Sequence, residues 1–145
     1  MSPYNGFSPA ERAAFAKWQA KEIQAGRIKP AAFCVACGQR EGIIHHHAED
    51  YSKPWSEAKN IPRDFHLCFT CHMMLHSRFN NPACWARYVE HVREGRQYPP
   101  VFKFDMGVIR RLCSAGWERV PFIWWDEPRA EISFDRMNLR LLREA

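Results

Sequence analysis

Between residues 34 and 76 the chain concentrates four cysteines and six histidines, and their spacing separates two kinds of chemistry. Cys34 and Cys37 form one Cys-x2-Cys pair and Cys68 and Cys71 a second, with thirty residues between the pairs. Each pair sets two thiolates on one tight knuckle, and two knuckles supply the four sulfurs of a tetrahedral structural zinc site. The imidazoles need a different account. His72 and His76 stand four apart, just over one helical turn, so a helix presents both on one face, where they can chelate a second metal. His45, His46 and His47 are consecutive, and neighbours on a strand alternate faces, so the three cannot all enter one cleft. One of them can join His72 and His76 as a ligand. A neighbour, at the strand end, can take a proton from water, because imidazole titrates near neutral pH. The third is left a structural part. Glu49 and Asp50 follow closely enough to orient an imidazole through its other nitrogen.

The surrounding sequence must place these groups. Ser8-Pro9-Ala10-Glu11 is a helix start with a capping box, and the helix it opens runs to about Ala25, with Gly26 as its stop. Phe15, Trp18 and Ile23 face inward, and Lys17, Lys21 and Arg27 lie on the exposed side. Residues 30–51 read as a short β unit, in which Phe33-Cys34-Val35 leads into the Cys37-Gly38 turn and Gly42-Ile43-Ile44-His45 returns as a strand. Residues 52–64 are polar and broken by proline, hence a loop. Phe65 to Cys68 re-enters the core, and a short helix from about Thr70 carries His72 and His76. Asn81-Pro82 opens another helix that ends at Gly95, with Trp85, Val89 and Val92 on one face. Residues 97–145 hold aromatic clusters and a final helix over about 133–143.

Bulk properties limit the function classes. A chain of 145 residues has the size of one domain and is small enough to benefit from a metal staple. A hydrophobic content of 46% with 14% aromatic residues fits a folded chain and excludes a disordered one. No apolar run approaches membrane-span length, and the first residues lack a signal-peptide pattern, so the expected setting is the cytoplasm, with no membrane partner. Reduced thiols there favour zinc over disulfides, and Cys84 and Cys113 are read as buried or free thiols. The net charge of +5 is spread unevenly. Residues 1–33 carry five basic groups against two acids, whereas residues 34–82 are balanced at five each. Positive potential near the cysteine-histidine segment must therefore come from its flanks and from bound metal. Arg110-Arg111 and the Lys17/Lys21/Arg27 side can contact phosphates or simply face solvent. The Trp85/Tyr88/Val89 face and Trp124-Trp125 read as packing residues rather than base-stacking platforms.

The pattern Cys34-x2-Cys37, His46-His47, Leu67-Cys68-x2-Cys71-His72-x3-His76 resembles the HNH endonucleases, the ββα-metal or His-Me finger group. The string His-His-His-Ala-Glu-Asp-Tyr-Ser-Lys-Pro over residues 45–54 is similar to a branch common in bacteriophage and prophage genes. The likeness spans residues 33–79. Together with the chain's size and the flanking helix signals, it gives an expected α+β fold organised as a single domain over 1–145. A small ββα-metal core over 30–80 carries the four-cysteine zinc knuckle pair, flanked by the N-terminal helix over 8–26 and a mainly helical, aromatic C-terminal extension over 81–145. It implies that Cys34, Cys37, Cys68 and Cys71 hold structural Zn2+, and that His72 and His76 hold a catalytic divalent metal (Mg2+, Mn2+, Ni2+ or Zn2+). The first residue of the strand-end histidine pair is then the third ligand and the second is the general base. The pair is His45/His46 or His46/His47. His46 as ligand and His47 as base is the favoured register, because Ala48 then takes the small apolar place after the pair. Asn60 fills the place of the motif's middle asparagine, with His66 another candidate to orient the base.

The function that this resemblance implies is a metal-dependent DNA endonuclease, hydrolysing phosphodiester bonds with histidine-activated water in a bacterial or phage-infected cell. Two other readings remain open. One is an HNH-fold zinc module that does not cut and acts by binding DNA or protein. The other is a zinc-ribbon adaptor with incidental histidines. Oligomeric state, a dimer included, is left open by the sequence.

Overall fold

Local signals decide where each element begins. The computed structural model describes residues 1–55, 65–113 and the backbone of residues 123–124. Helix α1 (Pro9–Gln24) starts as the capping box requires: Glu11 N–H donates to Ser8 Oγ at 3.1 Å and Ser8 N–H donates to the Glu11 carboxylate at 2.7 Å. It ends at Ala25, after which Gly26 turns the chain with a φ of 79°. Phe15 is buried, Trp18 and Ile23 are half-buried, and Lys17 and Lys21 are exposed. Arg27 is paired with Glu22.

Strands β1 (Ile44–His47) and β2 (Phe65–Cys68) form an antiparallel pair in which His45 faces Leu67, His46 faces His66 and His47 faces Phe65. This differs from the expected pairing of the return strand with Phe33-Cys34-Val35. The reason lies in the backbone of the first knuckle. Cys34 N–H donates to the Gln39 carbonyl and Gly38 N–H to the Cys34 carbonyl, both at 2.8 Å, so the groups a ladder needs are used up in the turn. Val35 N–H reaches across, to the His66 carbonyl at 2.8 Å. Gly38 takes a φ of 80°, which a side chain would strain.

Helix α2 (Phe69–Ser77) follows β2 without a loop, and Cys68 caps it, its Sγ accepting from Cys71 N–H at 3.5 Å. Helix α3 (Pro82–Arg93) is capped by Asn81 and buries Cys84, Tyr88, Val89 and Val92, with Trp85 half-buried. The two-residue strands β3 (Arg96–Gln97) and β4 (Ile123–Trp124) pair antiparallel, and between them lies α4 (Gly107–Cys113), which the sequence reading did not anticipate. The final helix expected over about 133–143, and Trp125, lie outside the described residues.

Two apolar clusters result. The larger surrounds the cysteines and includes Leu67, Met74, Leu75, Tyr88, Ile109 and Leu112. Complete burial of a leucine or methionine of this kind stabilises the fold by roughly 1.5–3 kcal/mol. The smaller joins the N-terminal segment to α1 through Tyr4, Phe7, Phe15, Ala48 and Tyr51. Strand β1 runs from one to the other, since Ile44 packs on the first and Ala48 belongs to the second. The architecture is thus α+β: an N-terminal helix, a small ββα unit of β1, β2 and α2 with a buried four-cysteine cluster, and further helices after it. No helix among the described residues is long and apolar enough to cross a membrane.

Candidate metal centres

The first knuckle and the β2–α2 junction bring Cys34, Cys37, Cys68 and Cys71 together with every sulfur within 4.8 Å of the others, all four buried. The Cys37 and Cys68 sulfurs are 3.7 Å apart, and the edge of a zinc tetrathiolate tetrahedron is about 3.8 Å. Cys37 N–H points at Cys34 Sγ at 3.4 Å and the Tyr88 hydroxyl lies 2.8 Å from Cys71 Sγ. Burial pushes the Cys71 thiol up, and the neighbouring cysteines push it further. Contact with Cys34 and Cys37 does the same to Cys68. Four thiolates in one dry pocket need a cation, and the donor set is the one zinc prefers.

The second cluster is built across the hairpin and α2. His72 and His76 project from one helical face, as their spacing requires, and β1 adds His47; one nitrogen from each lies within 4.8 Å of the other two. His72 Nε2 is 3.0 Å from His47 Nδ1 and 3.0 Å from His76 Nε2. A ring nitrogen carries either one proton or one lone pair, so a single linear hydrogen bond cannot explain both neighbours. Three lone pairs turned on a shared cation do explain them. The protons then sit on the outer nitrogens. His47 Nε2 lies 2.9 Å from Glu49 Oε1, and His72 Nδ1 lies 3.0 Å from His45 Nδ1, so each has an acceptor. The donor set therefore fits a divalent metal held by His47 Nδ1, His72 Nε2 and His76 Nε2.

Strand alternation places the remaining histidines. His45 shares the face of His47 and reaches His72, whereas His46 lies on the opposite face with its ring 4.6 Å from that of His66. The structure thus brings His47 to His72 and His76 and does not bring His46 to them, although His46 lines the same cavity. Asn60 lies outside the described residues.

Glu49 was only a general candidate in the sequence, and its surroundings were not foreseen. It is fully buried, accepts from Arg78 Nη2 at 2.7 Å and from the Tyr4 hydroxyl at 2.9 Å, and its backbone carbonyl accepts from Asn5 Nδ2 at 3.0 Å. The signal was present in the spacing of His45, His47 and Glu49, each two residues on and so on one face of an extended chain. Burial pushes the Glu49 carboxyl up, yet hydrogen bonds and charge from His47 and Arg78 outweigh it and hold it below the ordinary carboxylate range. Burial pulls His47 down from the usual imidazole value. Burial, followed by neighbouring imidazoles and Arg12, lowers His72 and brings His76 to about 3. All three rings are therefore neutral at pH 7, the state in which imidazole binds metal. Tyr4 packs on His76 with ring centres 4.3 Å apart.

A cavity of about 210 Å³ opens beside this cluster, lined by His46, His47, His72 and His76 together with Arg12 and Tyr51. Among known proteins, no family model, curated protein or solved structure matches the chain.

Proposed function

We propose that the protein is an HNH-type, metal-dependent DNA endonuclease, and the observation that carries this reading is the convergence of His47, His72 and His76 beside an accessible cavity. A divalent cation bound there supplies Lewis-acid stabilisation to the phosphoryl and leaving oxygens of a phosphodiester. The chain's own residues do the rest. His72 and His76 are ligands. His47 takes the third ligand position, in exchange with His46, because one of its nitrogens faces His72, the other faces Glu49, and its side chain is 0% exposed. A group so enclosed has no nitrogen to offer to water. His46 is then the general base: strand alternation keeps it out of the ligand set, it lines the same cavity, and its ring meets that of His66 edge-on. Asn60 retains its place as a residue that positions the base. The cysteines hold Zn2+ and fix α2, and hence His72 and His76, relative to β1. DNA is the proposed partner, and the exposed Arg110 and Arg111 on α4 are available to its backbone.

Purified protein is expected to convert supercoiled plasmid to nicked or linear DNA in Mg2+ or Mn2+, with EDTA stopping the reaction. His46→Ala should slow cleavage on the order of 10²–10⁴-fold, and His76→Ala should abolish it while leaving one zinc per chain by elemental analysis. Equal cleavage by wild type, His46→Ala and His76→Ala would remove the mechanism. A folded wild-type protein that holds its zinc and cuts nothing would instead favour the non-cutting binding module.

A further inference from the structure

Arg12 lines the cavity together with His47, His72 and His76, and no acidic side chain is among the described residues that line it. Arg12 Nη1 donates to the Ser2 backbone carbonyl, its Nε–H is buried without a hydrogen-bond partner, and among the described residues it makes no ion pair. The guanidinium carbon lies 5.2 Å from the centre of the Tyr4 ring and 5.4 Å from that of Tyr51, so two aromatic faces hold the group in place. The Glu49 carboxylate is already matched by Arg78 at 2.7 Å. A permanent cation with an unpaired buried N–H is costly unless an acceptor reaches it, and a cavity wall is where one can enter.

The neighbouring imidazoles sharpen the point. Three neutral rings turned to a common point make a cation site, and Arg12 adds a second positive centre to the same wall. A cavity with two positive centres selects an anion, and a planar guanidinium suits a tetrahedral oxyanion better than an ammonium does. We propose that Arg12 is the anion-binding residue of this cavity, donating a guanidinium N–H to a non-bridging oxygen of the substrate's phosphodiester group. The nuclease reading supplies the identity of the anion here, while the geometry alone supplies its charge.

The test uses the full chain loaded with Mg2+ and titrated calorimetrically with two probes. Inorganic phosphate reports on a free anion, and a short single-stranded deoxyoligonucleotide without terminal phosphates reports on diesters. Arg12→Met keeps an unbranched chain between the two tyrosine rings. Oligonucleotide binding is expected to fall on the order of tenfold or more, with Arg12→Lys restoring part of it. Mg2+ affinity is expected to stay the same or tighten, because a nearby cation has gone. That pattern supports the inference even if plasmid is never cut, in which case only the nuclease reading fails. Unchanged oligonucleotide binding in Arg12→Met, or an Arg12 effect confined to inorganic phosphate, would overturn it while leaving cleavage to be judged separately. Parallel loss of Mg2+ and oligonucleotide binding would reduce Arg12 to a packing residue and overturn it equally.

Discussion

The two ligand clusters share a scaffold and differ in what surrounds their donor atoms. Cys68 and Cys71 lead directly into His72 and His76, so one strand–helix junction serves both. The sulfurs are sealed inside the larger apolar cluster, with Cys34 and Cys71 at 0% exposure, whereas the imidazoles border a cavity. Their outer partners are opposite in kind. A thiolate is an anion and collects donors: Cys37 N–H, Cys71 N–H and the Tyr88 hydroxyl point at sulfur. A ligating imidazole keeps one N–H and needs an acceptor, which Glu49 and His45 provide. A closed site with four protein ligands is organised to hold a fold, and a three-ligand site beside a cavity leaves a position for a reacting group.

The largest effect expected from this contrast is at the sulfurs. Cys68→Ser removes a ligand and weakens the cap of α2 at once, and structural zinc is worth roughly 10 kcal/mol or more to small domains. Loss of the cooperative thermal transition is the expected outcome, with the same result for wild type in a strong chelator. His76→Ala should retain its transition. If Cys68→Ser melts like wild type, the division between a cluster that holds the fold and one that does not collapses.

The same contrast explains how much could be read from the sequence. Both clusters were legible because their spacing is local: x2 knuckles and an i, i+4 pair are set by turn and helix geometry alone. The capping residues and prolines that open α1 and α3 are equally local. The strand pairing was not legible, because the ladder partner of β1 lies beyond a loop and the apparent hairpin at Phe33–Val35 spends its backbone groups in the knuckle. Which histidine joins His72 and His76 depends on strand register, which a run of identical residues cannot reveal. Arg12, Tyr4 and Arg78 come from distant segments and carry no motif, so only tertiary packing identifies them.

A smaller effect isolates the acceptor side of the comparison. Glu49→Gln keeps the shape beside His47 but removes the charge that draws its Nε2 proton and that balances Arg78. Divalent-metal affinity at the histidines is expected to fall about 10–100-fold, measured by calorimetry, with the cysteine zinc undisturbed. Part of the change is a stability loss from the uncompensated Arg78, on the order of 3–5 kcal/mol for a broken buried pair. The double variant Glu49→Gln/Arg78→Met separates the two, since it should recover thermal stability without recovering metal affinity. Recovery of both would make Glu49 a packing partner of Arg78 and nothing more.

The smallest effect lies on the donor side. Tyr88 is fully buried in α3, and burial, with the adjacent cysteines, pushes its phenol well above the usual value, so it stays protonated and can donate to Cys71 Sγ. Tyr88→Phe deletes that one donor and leaves the ring stacked on Tyr98, with centres 5.7 Å apart. A hydrogen bond to a charged sulfur contributes about 1.5–3 kcal/mol when its acceptor has no substitute, but zinc withdraws most of that charge, so a loss of about 1 kcal/mol is expected from thermal melts of the zinc-loaded protein. Zinc should also leave faster to a competing chelator. At the histidines the same substitution should change nothing, because the Tyr88 hydroxyl lies against the sulfur cluster. A change in divalent-metal affinity there would mean that the two clusters are coupled through α2, and that the sulfurs tune the histidine cluster instead of only holding it in place.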